Sequence, residues 1–465
     1  MAIKNAFLKN LLKLTSSSVM AQLIVIISSP LLTRLYTPED FGVFALFLSV
    51  ITILATLANL RYDQAIIIPK DNEKGKQLVY LCLFINLFVF TITFVILYLF
   101  SHDIFRFFNL EKLQGFYWIL AISVLFIGVF QAFNYWLLRN KEFDTIAKIK
   151  VQQSLVIVIC QLIFFKFGAL CLLVGHTVGQ LFGVLKNGYN FLTTTKINFI
   201  TMKEVFFDYI NFPKYSIWSA LLNNIGAQLP VFLFTLYFSP AIAGLYLLTQ
   251  RVIKGPLTIV SQAVTQIFLS NLRNEESSIQ NKILKINNFL TTIVLVPLAI
   301  IVVAGEQIFS IVFGEGWGEA GKVAAILIPW IFMVFLCTPI GSLLEYKGMQ
   351  KEYLIFQVCL FVIRIMSIGV GIFLFDKYTD TLILFSIISA LAWMGFLYFV
   401  MKIYGVRVSN WFVPVFKKIL IVFSIFLPLV ILKDIDIFYF YFLVLLASIF
   451  SFYLIFEKSI FKYEN

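Results

Sequence analysis

Apolar runs of about 20 residues alternate along this chain with short polar stretches. An α-helix rises 1.5 Å per residue, so a run of that length crosses a hydrocarbon core about 30 Å thick. The pattern predicts about fourteen spanning helices by this length rule. They cover 12–34, 40–60, 78–100, 116–137, 150–167, 170–190, 216–238, 241–263, 286–312, 322–344, 353–375, 381–402, 416–433 and 438–456. The fifth and sixth are parted only by "FKFGAL". The longest connection between neighbouring spans, from Thr193 to Tyr215, falls at the midpoint of the first twelve.

Composition agrees with lipid as the solvent. The 465 residues are 61% hydrophobic and 13% charged, with 53 Phe, whereas soluble domains carry about 25% charged residues. An all-α polytopic membrane protein follows. The basic N-terminus "MAIKNAFLKNLLKLTSSS" resembles the start of a signal peptide, but its apolar continuation to Leu35 is too long for one, so it is expected to remain as the first helix. The formal charge of +12 lies mostly in short loops, where it reports topology and not nucleic acid. With the N-terminus inside, connections such as "RYDQAIIIPKDNEKGK", "LLRNKEFDTIAKIK" and "VFKK", with the tails, hold about 26 Lys and Arg against about seven outside. Both termini are therefore expected to be cytoplasmic. The five cysteines lie in or beside apolar runs without metal-ligand spacing. Neither metal nor cofactor is expected, and no P-loop suggests ATP hydrolysis.

One motif occurs twice. "LYTPEDFGVF" begins at Leu35 and "LYFSPAIAGLY" at Leu236, after the first and the seventh predicted helix. Both loops fall on the outer side, so the repeat is parallel, with six helices per unit. Parallel repeats place a substrate site between two lobes. The expected organisation is an N-lobe over 1–197, a C-lobe over 198–410 and a C-terminal helix pair and tail over 411–465. Locally, Pro would stop the preceding helix and Gly would relax the start of the next.

"SSPLLTRLYTPEDFGVFALFLSV", followed by "LRYDQAIIIPKDNEKGKQL", resembles the start of bacterial polysaccharide biosynthesis proteins. These are the O-antigen and lipid-linked oligosaccharide flippases of the multidrug/oligosaccharidyl-lipid/polysaccharide superfamily. "YINFPKYSIWSALLNNIGAQLPVFLF" and "SPAIAGLYLLTQRVIKGPLTIVSQAVTQIF" are similar to the opening of that family's second half. The resemblance implies two pseudo-symmetric lobes in a V. It implies transport of a polyprenyl-diphosphate-linked oligosaccharide across the bacterial inner membrane for surface polysaccharide or O-antigen assembly. Membrane lipids, a polysaccharide polymerase and other assembly proteins would be its partners. Many O-antigen flippases are described with twelve helices. Fourteen is the number in the superfamily's peptidoglycan-precursor flippases, where the extra pair forms a groove for the lipid tail.

Three cations fall inside spans. Arg251 lies roughly 16 Å past Pro240 along its helix, near the midplane. Lys254 shares its face at i+3, and Arg364 is about as deep in the eleventh span. An Arg at such depth costs about 2.5–3.5 kcal/mol on insertion scales, a cost tolerated toward protein or water. Guanidinium groups suit a diphosphate, so Arg251, Arg364 and Lys254 are candidate headgroup contacts. By resemblance to lipid-diphosphate flippases, Arg61 in "NLRYDQ" is another. Arg61 could equally anchor a loop or pair with Asp63, Lys254 could snorkel, and Arg251 and Arg364 could pair with acids. Yet Glu306 and Glu345 fall near helix ends. Gly255-Pro256 would bend the helix beside Lys254.

Asn223, Asn224, Gln228 and Gln250 are candidate sugar contacts, with Gln131, Asn134, Gln262 and Gln266 similarly placed. Helix–helix hydrogen bonding is the plainer use of all of them. Trp218, Trp330 and Trp393 could stack on sugars, and His176 could relay protons. A drug or metabolite antiporter of the same superfamily is the alternative, disfavoured by the scarcity of deep carboxylates. A membrane polymerase or ligase would need a long outer loop with Arg or His, and the chain has none.

Overall fold

In this computed structural model the described residues are 2–108, 115–272, 279–346, 349–431 and 437–460, and they contain helices and turns but no strand. The side chains of some helical stretches, among them 2–15, 266–272 and 456–460, are outside the described set. Each of the fourteen predicted spans coincides with helix. Among the described residues, eleven helices are long and apolar enough to cross a membrane. Two more, over Ala169–Leu185 and Phe440–Ile455, are apolar but shorter. The remaining span, the eighth, is interrupted midway. The chain is a multi-pass membrane protein. It divides into two compact units, Met1–Leu247 and Leu248–Asn465.

The first unit contains α1 (Ala2–Leu35), α2 (Pro38–Leu57), α3 (Tyr62–Ala65), α4 (Asn72–Phe107), α5 (Tyr117–Arg139), α6 (Phe143–Ile163), α7 (Ala169–Thr194), α8 (Phe199–Asp208) and α9 (Ile217–Tyr237). "FKFGAL" is a real break. A 3-10 turn, Phe165–Phe167, ends at Gly168 with φ +61°, a conformation that favours glycine. Asp40 Oδ1 then accepts from the Ala169 amide at 2.8 Å, which ties the start of α7 to the start of α2.

The repeated motif has a more specific cause than helix breaking. Thr37 caps α2 in a capping box with Asp40, and Pro38 occupies the first turn, where its missing N–H costs nothing. Ser239 and Pro240 open α10 (Pro240–Thr249) in the same way, the Ser239 hydroxyl accepting from the Ile242 amide at 3.4 Å. Four residues beyond each proline stands the glycine. A Cβ on Gly42 would strike the backbone carbonyl of Pro240, and a Cβ on Gly244 the carbonyl of Pro38. The two motifs therefore touch reciprocally, and each glycine is needed for close helix approach. The expectation that it merely relaxes the helix start is replaced by this contact.

The long central connection is also structured. Short α8 lies over α4, where the Asn198 amide donates to Gln77 Oε1 at 3.0 Å and Lys74 pairs with Asp208 at 2.9 Å. Tyr62 of α3 is fully buried among Leu78, Cys82, Phe133 and Val205 and donates its hydroxyl to the Phe206 carbonyl. At the end of α5, the Arg139 guanidinium donates to the carbonyls of Ile66, Pro69 and Asp71. That clamp holds the turn between α3 and α4.

In the second unit, a π-helical segment, Gln250–Lys254, joins α10 to α11 (Gly255–Leu272). It is followed by α12 (Ile279–Phe313), α13 (Gly318–Tyr346), α14 (Gln350–Leu374), α15 (Tyr378–Ile403), α16 (Val408–Ile431) and α17 (Ile437–Ile460). Helices α12 and α13 cross where Gly305 and Gly321 bring their backbones together. The C-terminal pair α16–α17 packs on α12 through Val422, Phe426, Phe440 and Val444 against Val296, Val303 and Ala304. "VFKK" is not wholly a loop anchor. Lys418 is 8% exposed, and its ammonium donates to Asn288 Oδ1 at 2.5 Å and Thr292 Oγ1 at 2.6 Å on α12. An ammonium removed from water needs such partners.

Two stability tests follow. Gly42→Ala and Gly244→Ala should each destabilise the purified protein by about 1–3 kcal/mol through overpacking. Gly395→Ala, with open space around its Cα, should not. Equal melting of all three would refute the close-approach account. Lys418→Ala should raise hydrogen exchange across α16 and α17, by about 1–2 kcal/mol for the lost interhelical hydrogen bonds. The exposed neighbour Lys417→Ala should leave exchange unchanged, and matching profiles for the two variants would contradict the pin.

Candidate functional sites in the two units

The first unit contains a partly open polar chamber of about 290 Å³. Its wall takes Thr52 and Thr56 from α2, Gln131 from α5, His176 and Gln180 from α7, and Asn224 from α9. Arg61 comes from the turn after α2, and Asp63 from the short α3 that follows it. That turn is unusual: Leu60 (φ 46°) and Arg61 (φ 66°) are both left-handed. Such backbone costs of order 1–3 kcal/mol per residue outside glycine and is kept where surrounding structure enforces it. Here the buried Tyr62 and the Arg139 clamp hold the next residues, and the bend brings Arg61 to the chamber.

The Arg61 Nε–H is buried without a hydrogen-bond partner. Asp63 is 5% exposed. Burial pushes its carboxyl above the usual carboxylate range, with the Arg61 charge and backbone N–H groups opposing part of the shift. From the sequence, Asp63 has only the role of a pairing partner for Arg61, because it lies outside every predicted span. Its burial depends on α3 folding back into the unit. His176 meets the ring edges of Phe44 and Phe47 at 6.1 and 6.0 Å between centroids.

Two of the candidate sugar contacts already have partners in this unit. Asn224 Nδ2 donates to Thr56 Oγ1 at 2.7 Å, and Gln228 Oε1 accepts from Ser49 at 2.9 Å. Both bonds join α9 to α2. Asn223 is exposed on the same helix, and so is Trp218.

In the second unit, the π segment carries Gln250, Arg251 and Lys254. Pro256 cannot donate to the carbonyl four residues back, and the Gly255 amide donates to Gln250 five residues back. The expected bend beside Gly255-Pro256 is thus a widened turn. Lys254 and Arg364 of α14 converge on one aromatic ring. The Lys254 ammonium lies 4.9 Å and the Arg364 guanidinium 5.7 Å from the Trp330 centroid. A Trp face attracts cations by roughly 0.5–2 kcal/mol each, which offsets some of the repulsion between two like charges. Trp330 itself is 3% exposed and packs edge-on against Phe385. Arg251 sits half-buried on the same π turn, and the Gln250 Nε2 group is buried without a hydrogen-bond partner. Trp393 packs against Phe356 and Phe396. Glu306 is engaged by Lys322 at 2.9 Å, while the side chains of Glu345 and Gln266 lie outside the described residues.

From the sequence, Trp330 is a candidate for stacking on sugars, and its role as the ring shared by two cations was missed. The available signal was its depth within the tenth span. An apolar groove of about 450 Å³ also opens in this unit, lined from α12, α13, α15 and α16 by residues including Val302, Phe332, Met394, Phe416, Phe423 and Leu427.

Residues 31–322 match the family model described as "Polysaccharide biosynthesis protein". The teichuronic acid biosynthesis protein TuaB of Bacillus subtilis is 24% identical over 299 residues, 61% of this chain and 60% of TuaB. The match thus spans less than two thirds of that relative. An uncharacterized membrane protein in the cps region of Klebsiella pneumoniae is 22% identical, over 73% of this chain and 72% of its own length. The structure of the lipid II flippase MurJ in an inward closed conformation aligns with TM-score 0.79 and 13% identity, over 96% of this chain and 98% of MurJ. A multidrug resistance MATE family transporter of the MOP superfamily, inward-facing, aligns with TM-score 0.62 and 14% identity, over 84% and 94% of the two chains. At these identities the structural likeness speaks for the fold. Because the family model covers more than half of the sequence, the chain belongs to the polysaccharide biosynthesis protein family, on a fold shared with membrane flippases and exporters.

Proposed function

We propose that this protein is a flippase that moves a polyprenyl-diphosphate-linked oligosaccharide across the bacterial inner membrane by alternating access, with both termini cytoplasmic. The observation that carries this reading is the convergence of Lys254 and Arg364 on Trp330 inside the second unit. Two cations held together in a membrane interior raise each other's energy. A bound dianion relieves that repulsion and accepts charge-assisted hydrogen bonds from both. Arg251 on the same π turn and Arg61 in the first unit's chamber are the further headgroup contacts.

Asn223, Asn224, Gln228 and Gln250 remain the proposed sugar contacts. Asn224 lines the polar chamber, and its bond to Thr56 would have to be shared with a sugar hydroxyl. The apolar groove beside α16 is suited to an isoprenoid tail, since its lining has no charged group. The cargo of MurJ, lipid II, and the teichuronic acid and cps contexts of the two relatives support a lipid-linked glycan over a cationic drug. A polysaccharide polymerase and other assembly proteins would receive the product.

Arg364→Ala and Lys254→Ala, at wild-type membrane levels in a strain lacking the native gene, should each lower surface glycan by about tenfold or more. That magnitude follows from losing one hydrogen bond to a charged group, about 1.5–3 kcal/mol. Lipid-linked units should accumulate facing the cytoplasm. Arg364→Lys should recover part of the export, less than wild type if two-pronged phosphate contact matters. Near-normal export by both alanine variants would reject the cationic headgroup site.

A further inference from the structure

The chamber of the first unit holds a carboxylate where an anionic cargo is expected. Arg61 and Asp63 line the same 290 Å³ space. Both are held by the left-handed turn at Leu60 and Arg61 and by the Arg139 clamp beyond it. We propose that Asp63 competes with the diphosphate headgroup for Arg61 and takes up a proton when the headgroup binds, so that one proton enters the chamber with each cargo anion. This inference rests on Arg61 being a headgroup contact.

The electrostatics have one sign throughout. With the chamber empty, the Arg61 charge favours the ionised carboxylate. When a diphosphate takes the guanidinium, Asp63 loses its counter-charge and gains an anionic neighbour. Both changes favour the protonated acid. A protonated Asp63 can also donate a hydrogen bond to a phosphate oxygen, which the carboxylate cannot.

Other charged or titratable groups near Asp63 can be told apart. On α4 the buried Cys82 thiol is within its electrostatic reach. The α7 wall brings His176, while α2, α5 and α9 contribute the uncharged Thr52, Thr56, Gln131 and Asn224. The π-helical segment Phe212–Ser216, which packs on α3, carries Lys214, with its ammonium over the Tyr215 ring at 5.1 Å. Arg139 of α5 is engaged by turn carbonyls. Asp63 and His176 are therefore the two titrating candidates in the chamber, and they are separable by substitution.

By linkage, a ligand that favours the protonated acid binds more tightly as pH falls through the pKa of that acid, at a limit of about tenfold per pH unit for one proton. Burial places that window above the ordinary Asp value of about 3.9.

The test uses the full chain in nanodiscs and farnesyl-diphosphoryl-N-acetylglucosamine, a diester probe whose own charge is constant from about pH 5 to about pH 8. Its dissociation constant should fall several-fold or more toward the acid end in the wild type. Asp63→Asn should bind as tightly at about pH 8 as the wild type does at about pH 5, with a flat profile. His176→Gln should keep the wild-type slope. A sloping Asp63→Asn profile, or a flat His176→Gln profile, would overturn the proposal. Arg61→Ala should weaken binding at every pH. If it binds like the wild type, the headgroup assignment of Arg61 fails and the inference falls with it. If it weakens while Asp63→Asn keeps its slope, only the proton link fails. Mixing wild-type protein and probe in weak buffer needs no variant, and it should show net proton uptake. No uptake anywhere in the range would overturn the link.

Discussion

A cation withdrawn from water must be answered by the fold or by a ligand. Three different answers appear in this protein. Lys418 is satisfied by neutral oxygens of Asn288 and Thr292, and its ammonium joins two helices. Lys254 and Arg364 are placed against the Trp330 ring, which attracts both but has no lone pair to accept a hydrogen bond. Arg61 has a buried carboxylate in the same chamber. The first arrangement is closed and reads as structural. In the other two the cations meet a ring face or share a chamber with a buried acid, and that difference is the physical basis for separating a pin from the proposed sites.

Backbone irregularity occurs beside both proposed sites. The π turn of Gln250–Lys254 exists because Pro256 has no N–H to donate, and a widened turn rotates the side chains it carries relative to a regular helix. The left-handed pair Leu60–Arg61 ends the helical path of α2 within two residues. A regular helix would have continued Arg61 along the α2 axis. Instead it shares a chamber with groups from five other chain segments. Strain of this kind persists only when packing over-determines it, and the buried Tyr62 with the Arg139 clamp supplies that packing.

Much of the fold was legible because lipid makes length and hydropathy decisive. All fourteen spans were read from apolar runs, including the sixth, which Gly168 separates from the fifth. The depth of Arg251, Lys254 and Arg364 was also legible, since helix rise converts position into distance. What one-dimensional reading could not supply was which residues from different helices meet. Trp330 sits about eight residues into its span, but its role depends on α14 bringing Arg364 to it. Asp63 lay in a loop by hydropathy, and only the return of α3 into the unit buries it. The Gly42 and Gly244 motifs were recognised as a repeat, yet their mutual contact is a tertiary fact that no local turn preference encodes.

That contact also bears on how motifs of this kind come to be kept. A turn needs a helix-starting Thr-Pro or Ser-Pro, and many residues could follow it. The glycine at the fourth position beyond each proline is required only because the other copy of the motif is present. Each copy constrains its partner's backbone, so a side chain gained in either one disturbs both helix starts at once. This crossing leaves no room for a side chain, since a backbone carbonyl already lies where a Cβ would stand. The charged residues have the opposite character: under the proposed function, they answer to the chemistry of the cargo and not to a neighbouring backbone.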